Sequence, residues 1–121
     1  MTPRQRILVV DDDADIRLTL PEILEDEGYS VGTAANGRDA LAYLRAHLAT
    51  SLVLLDLMMP IMDGQQFRLE QKSDPAIASI PVIVMTARGE LEPGAIDVAE
   101  ILHKPLKVPK LLEAIRRLRR G

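Results

Sequence analysis

Cysteine is absent from the 121 residues. That excludes disulfide scaffolds and cysteine-ligated zinc, and it leaves a reducing compartment open. Aromatic side chains are scarce: Tyr29, Tyr43 and Phe67 are the full set. With no aromatic after Phe67, the second half of the chain has no platform on which nucleic-acid bases could stack. Long apolar runs are also missing. The longest stretch without a charged residue, Pro75 to Ala87, has 13 residues, whereas a membrane span needs about 18. The opening Met-Thr-Pro-Arg-Gln-Arg lacks the pattern of a secretory signal, so a cytoplasmic location is expected. Internal repeats, low-complexity stretches and linkers are not found either, and a single domain over 1–121 is expected.

What remains is an ordinary globular composition, 47% hydrophobic and 27% charged. Net charge is −3, an acidic balance that argues against nucleic-acid binding as the main task. The charge is uneven. From Lys104 onward, seven basic residues face the single acid Glu113, which leaves +6 there and −9 on the first 103 residues. The simpler account of this basic end is a solvated helix whose last turn complements its own dipole.

Short apolar runs alternate with amphipathic stretches. Strands are expected at Ile7–Val10, Tyr29–Ala34, Leu52–Leu55, Pro81–Met85 and Glu100–His103. Between them, Ile16, Leu20, Ile23 and Leu24 recur at helical spacing and Gly28 closes that helix. Ala40, Leu41, Tyr43, Leu44 and Leu48 mark a second helix, and Gln65–Gln71 a third. Pro109 suits the first turn of a last helix with the apolar stripe Leu111, Leu112, Ile115 and Leu118. Strand and helix alternating at this interval predict βαβ units and a parallel sheet covered on both faces.

In such sheets reactive groups collect beyond the carboxyl ends of the strands. Asp11, Asp12 and Asp13 follow the first strand, Asp56 the third, Thr86 the fourth, and Lys104 with Pro105 the fifth. Solvent exposure accounts for any one of these, and helix capping accounts for Asp13 and Asp15. Carboxylates, a hydroxyl and an ammonium at four strand ends together point to phosphoryl transfer. Clustered carboxylates repel, a hard divalent cation relieves them, and all-oxygen ligands select magnesium or manganese. Asp56 would then stay ionised and attack phosphorus, while the metal, Thr86 and Lys104 neutralise the transferred oxygens.

The motifs Ile-Leu-Val-Val-Asp-Asp-Asp (7–13), Leu-Leu-Asp-Leu-Met-Met-Pro-Ile-Met-Asp-Gly (54–64), Val-Ile-Val-Met-Thr-Ala (82–87) and His-Lys-Pro-Leu (103–106) give the chain a full-length resemblance to the receiver domains of bacterial two-component response regulators. The resemblance implies a flavodoxin-like, doubly wound five-stranded parallel sheet of order 2-1-3-4-5, with two helices on one face and three on the other. It implies Asp56 as phosphoacceptor, magnesium held by Asp11, Asp12, Asp56 and the Met58 backbone carbonyl, Thr86 as switch hydroxyl and Lys104 as phosphate-binding lysine. Pro105 would follow a cis peptide. Pro60 and Gly64 would shape the loop after Asp56, Gly64 through a backbone conformation that other residues avoid. The implied partners are a sensor histidine kinase or histidine phosphotransfer protein, and a downstream protein or fused output domain, with neither nucleic acid nor membrane touched directly. The domain would not be an enzyme acting on outside substrates, although it would catalyse its own phosphorylation and dephosphorylation.

The sequence departs from that family in three places. Ile101 replaces the usual aromatic three residues before the lysine, and Leu106 replaces a Phe. The Thr86–Lys104 segment is short and contains Gly89, Pro93 and Gly94, so the fourth of five expected helices should be atypically short. Ala87, Arg88 and Ile101 then form the expected switch region, acting through the backbone of 87–99 and not through a rotating ring. Two rival classes fit part of the pattern. A haloacid-dehalogenase-type phosphatase would use Asp11 and Asp13 and leave Asp56 idle; a phosphorylation-independent pseudo-receiver would not need all five chemical residues. His47 and His103 lack paired ligand spacing. Met58, Met59 and Met62 are expected to pack the loop, and Tyr43 and Phe67 to lie in the core.

Overall fold

A computed structural model of the chain describes residues 4–87 and 96–120. The elements are β1 (Arg6–Val10), α1 (Ala14–Asp26), β2 (Ser30–Ala34), α2 (Gly37–Ala46), β3 (Leu52–Asp56), α3 (Gly64–Lys72), β4 (Val82–Thr86), β5 (Glu100–His103) and α4 (Val108–Leu118). All strand pairs are parallel, in the order β2-β1-β3-β4-β5. The three central strands read as near-continuous Ile, Leu and Val runs because helices bury both their faces.

Alternate strand residues feed two cores. Leu8, Val10, Val53, Leu55, Val82 and Val84 pack with α2, α3 and the fully buried Phe67. Ile7, Val9, Leu52, Leu54, Ile83 and Met85 pack with Leu20 and Leu24 of α1 and with Leu111, Ala114 and Ile115 of α4. Two helices thus cover each face among the described residues. The expected short helix between β4 and β5, and with it Arg88, lies outside those residues.

Local chemistry sets the ends of the helices. Asp13, Asn36 and Asp63 are side-chain N-caps of α1, α2 and α3, accepting from the backbone N–H of Asp15, Asp39 and Gln66. After α1, Gly28 takes φ +96, which lets the chain turn into β2. Two expectations need correction. Leu48 is not part of α2: the helix ends at Ala46, and Leu48 lies beyond the C-cap with half its surface exposed. Tyr43 is half-buried at the rim of the core, because its phenol oxygen accepts a hydrogen bond from Arg6 Nη1 (2.7 Å) and its ring stacks on His47. A polar tip with a partner of this kind holds an aromatic at the edge of a core.

Past α4, Arg120 fastens the opposite end of the sheet. Its backbone N–H donates to Ser51 O, and its guanidinium reaches Leu48 O and Ser79 Oγ.

Candidate functional site

Strand register assembles the polar groups. Val10 is level with Leu55, Asp56 with Met85, and Thr86 with His103. One step beyond β1 and β5, Asp11 and Lys104 therefore stand at the same edge as Asp56 and Thr86. Asp11 is fully buried, Asp56 and Thr86 are nearly so, and Asp12 is exposed. Carboxylate oxygens of Asp11, Asp12 and Asp56 all lie within 4.8 Å of one another. Lys104 Nζ donates to Asp11 Oδ2 at 2.9 Å and stands 3.7 Å from Asp56 Oδ1.

This crowding changes the acidity of the site. Burial first, and then the Asp11 charge, push Asp56 up from 3.8 to about 6, and a side-chain hydrogen bond with Asp12 adds to the rise. The Lys104 ammonium and a hydrogen bond from the Met58 backbone pull the other way without cancelling it. For Lys104, burial alone would lower the pKa, but the hydrogen bond and charge of Asp11, with the charges of Asp56 and Asp13, hold it above its ordinary value. Three hard carboxylates of this kind fit a divalent cation: the donors are all oxygen, and a cation would relieve the repulsion that raises Asp56.

Around these groups the loop from Leu57 to Asp63 differs in part from the sequence expectation. Gly64 is the first residue of α3 and does not carry the unusual backbone conformation. Its constraint is steric. A Cβ there would sit 3.1 Å from both Asp56 O and Leu57 Cα, while its N–H donates to Leu57 O (2.9 Å). The left-handed residue is Ile61 (φ 69), three positions earlier, which is exposed and spanned by a Met62 N–H bond to Pro60 O (2.7 Å). Met59 and Met62 pack on the α2–α3 core as expected, but Met58 is half exposed and does not. Gly64→Ala should cost about 1 kcal/mol, because backbone and not a flexible side chain must give way. A chemical denaturation midpoint unchanged from wild type would refute this close packing.

Of the remaining expected site residues, Pro60 lies in the loop and Pro105 follows a cis peptide bond. Ala87 is exposed just past β4, and Ile101 is half-buried against the α2–α3 core. His103 is exposed at the end of β5. Two contacts were not anticipated. The Asp13 N–H donates to Asp11 Oδ1 (2.9 Å), so Asp13 both caps α1 and steadies Asp11. Arg17 Nη1 donates to the backbone carbonyl of Asp11 (2.8 Å). The available signal for Arg17 was its position, one turn into the helix that leaves an acidic strand end.

A family model described as response regulator receiver domain matches residues 7–116. The DNA-binding response regulator MtrA of Mycobacterium tuberculosis is 39% identical over 128 residues, covering 99% of this chain and 53% of that protein. Response regulator Rre1 of Synechocystis is 43% identical over 84 residues, covering 69% of this chain and 36% of that protein. The chain thus spans between 36% and 53% of the length of these relatives. Among solved structures, chemotaxis response regulator CheY4 of Vibrio cholerae matches with a TM-score of 0.87 at 29% identity, over 96% of this chain and 99% of that one. A CheY-like receiver domain protein of Methanospirillum hungatei matches with a TM-score of 0.83 at 31% identity, over 95% and 93%.

Proposed function

The chain belongs to the response regulator receiver domain family, the signalling module of two-component phosphorelays, and on that premise we propose that Asp56 accepts a phosphoryl group from a phosphohistidine. An Asp56 carboxylate oxygen attacks phosphorus in line, the phosphorus–nitrogen bond breaks, and the imidazole of the donor leaves and takes up a proton. Asp11, Asp12, Asp56 and the Met58 carbonyl would hold magnesium, or manganese, which when bound neutralises charge on the phosphoryl oxygens. The Lys104 ammonium, now on Asp11, is close enough to Asp56 to shift onto the new phosphate, and the Thr86 hydroxyl would donate to a third oxygen. The donor is a sensor histidine kinase or histidine phosphotransfer protein. The receiver of the signal is a downstream protein or a fused output domain, in the cytoplasm. The whole of 1–121 would act as one domain, with self-catalysed gain and loss of phosphate as its only chemistry.

The single observation that carries this reading is the convergence of three carboxylates and Lys104 at one sheet edge, with Asp56 standing 3.7 Å from the ammonium. The output is proposed to leave through the backbone that follows Thr86. Ile101 is β-branched, stiff at its first torsion and packed against the core, which suits it poorly to a rotary switch. The rival use of Asp11 as nucleophile is disfavoured, since both its oxygens are already engaged by Lys104 and the Asp13 N–H.

The test is incubation with acetyl phosphate and magnesium. One phosphoryl group per chain is expected by intact mass, and none with excess chelator. Equal labelling in chelator would remove the metal from the account.

A further inference from the structure

Arg17 touches the carboxylate site, and the chemistry above gives it no task. It is half-buried on α1, and its backbone N–H closes the first turn of that helix on Asp13 O (3.1 Å). Asp11, Asp12, Asp13 and Asp15 all precede it closely in the chain. The ordinary fate of an arginine so placed is an ion pair along the helix face, with Asp13 at the favourable spacing. Arg17 makes no ion pair among the described residues. Its Nη1 donates instead to an uncharged acceptor, the backbone carbonyl of Asp11, at 2.8 Å. That carbonyl lies one residue past the end of β1, and no backbone N–H among the described residues donates to it. Asp11 is otherwise held by the sheet and by the site. Its N–H bonds Ala34 O (3.1 Å), and its two carboxylate oxygens accept from the Asp13 N–H and from Lys104. Arg17 supplies the partner that its remaining polar group would lack.

We propose that Arg17 is a positioning residue: by holding the Asp11 carbonyl it fixes the peptide plane between Asp11 and Asp12, and so keeps the Asp12 carboxylate in the cluster with Asp11 and Asp56. A peptide group is planar, so the Asp11 carbonyl and the Asp12 N–H turn together. Asp12 needs this help more than its neighbours. It is exposed, between the end of a strand and the start of a helix, and has little packing to place it, yet its carboxylate must stay within 4.8 Å of two buried ones. The consequence for a divalent cation, though not the hold on the peptide, rests on the reading of the site as a cation site. That consequence has a sign that separates positioning from charge. As a positive charge near the cluster, Arg17 would repel a cation, and its loss would tighten binding. As a positioning residue it acts like other groups that orient metal ligands from behind, whose loss weakens binding by about tenfold or more.

The experiment compares the full wild-type chain with Arg17→Met, which removes the donor and keeps the length of the side chain, and with Arg17→Lys, which keeps a donor and the charge. Nitrogen-15 relaxation of the metal-free proteins reads the hold itself. The order parameter of the Asp12 N–H should fall from about 0.85 in the wild type to below about 0.6 in Arg17→Met, with the amides of β1 unchanged. Titration with magnesium chloride, followed by the amide shifts of the same proteins, reads the consequence. Arg17→Met should bind the ion about tenfold more weakly, and Arg17→Lys should recover most of both properties. Arg17→Gln, too short to reach the carbonyl as the guanidinium does, serves as a second variant should Arg17→Met unfold, with the same losses expected. An Asp12 amide as rigid in Arg17→Met as in the wild type would overturn the proposal, and so would magnesium binding that is unchanged or tighter. Failure of the wild-type chain to bind magnesium would overturn the cation reading, and a loosened Asp12 in Arg17→Met would still establish the hold.

Discussion

Asp56→Asn stabilises the metal-free protein near pH 7, by about 2 kcal/mol. Asp56 ionises near 3.8 in an unfolded chain and at about 6 in the folded one, through burial and the neighbouring Asp11 charge. Its ionised form is therefore less favourable in the native state, by about 1.4 kcal/mol for each pH unit between the two values, or about 3 kcal/mol, and the cost of burying a polar amide in its place leaves about 2 kcal/mol of that. The direction follows from proton counts. Between pH 4 and 6 the folded state holds the proton that the unfolded state has lost, so stability falls as pH rises through that window. Above it the full cost is present; below pH 4 none remains. The neutral amide is free of this dependence. Its advantage should thus appear between pH 4 and 6, be complete by pH 7 and vanish in acid, corresponding to about 6–10 °C in melting temperature for a chain of this size. Thermal melts of both proteins in chelator across pH 4 to 8 measure it. An Asn variant no more stable than wild type at pH 7 would show that the carboxylate is better solvated than its burial indicates.

Removing the cation has the opposite sign. Lys104→Met should destabilise the metal-free protein by about 2 kcal/mol. It leaves Asp11 fully buried with only the Asp13 N–H, and it leaves Asp56 without the charge that now holds its pKa down. Breaking a buried pair by removing one partner costs about 3–5 kcal/mol, and the residual exposure of Lys104 reduces that figure here. Magnesium should then do more for the variant than for wild type, because three carboxylates without a lysine gain more from a cation that binds only the folded state. In melts with and without millimolar magnesium, the magnesium-induced rise should rank Lys104→Met above wild type and wild type above Asp56→Asn. An identical rise in all three would mean that the ion binds away from the carboxylate cluster.

Much of this was legible in the sequence because it depends on short-range pattern. The runs at Ile7–Val10, Leu52–Leu55 and Val82–Met85 could be buried on both faces only in a parallel sheet, and the order 2-1-3-4-5 came with the family resemblance. The site residues were legible for a related reason: each closes an apolar run, and strand register alone brings those ends together. Other features depend on distance between segments, which the sequence does not encode locally. Gly64 was recognised as special for the wrong reason, since its closeness to Asp56 O is a tertiary fact. Nothing local marks Ile61 as left-handed; the turn closed between Met62 and Pro60 sets its backbone. Leu48 continued the helical spacing, yet α2 stops two residues earlier, at Ala46, with a His47 N–H bond to Leu44 O, and Leu48 is left half exposed. The hydrogen bond from Arg17 to the Asp11 carbonyl likewise follows from how α1 leaves β1.

The central claim is that Asp56, and no other carboxylate of the cluster, carries the phosphoryl group. Treating the chain with acetyl phosphate and magnesium, reducing the acyl phosphate with borohydride and sequencing the peptides by mass spectrometry tests this most directly, because the reduced residue becomes homoserine at the modified position. The account predicts homoserine at 56 alone in the wild-type chain, and none anywhere in Asp56→Asn. Homoserine at 11, or undiminished modification of Asp56→Asn, would contradict it.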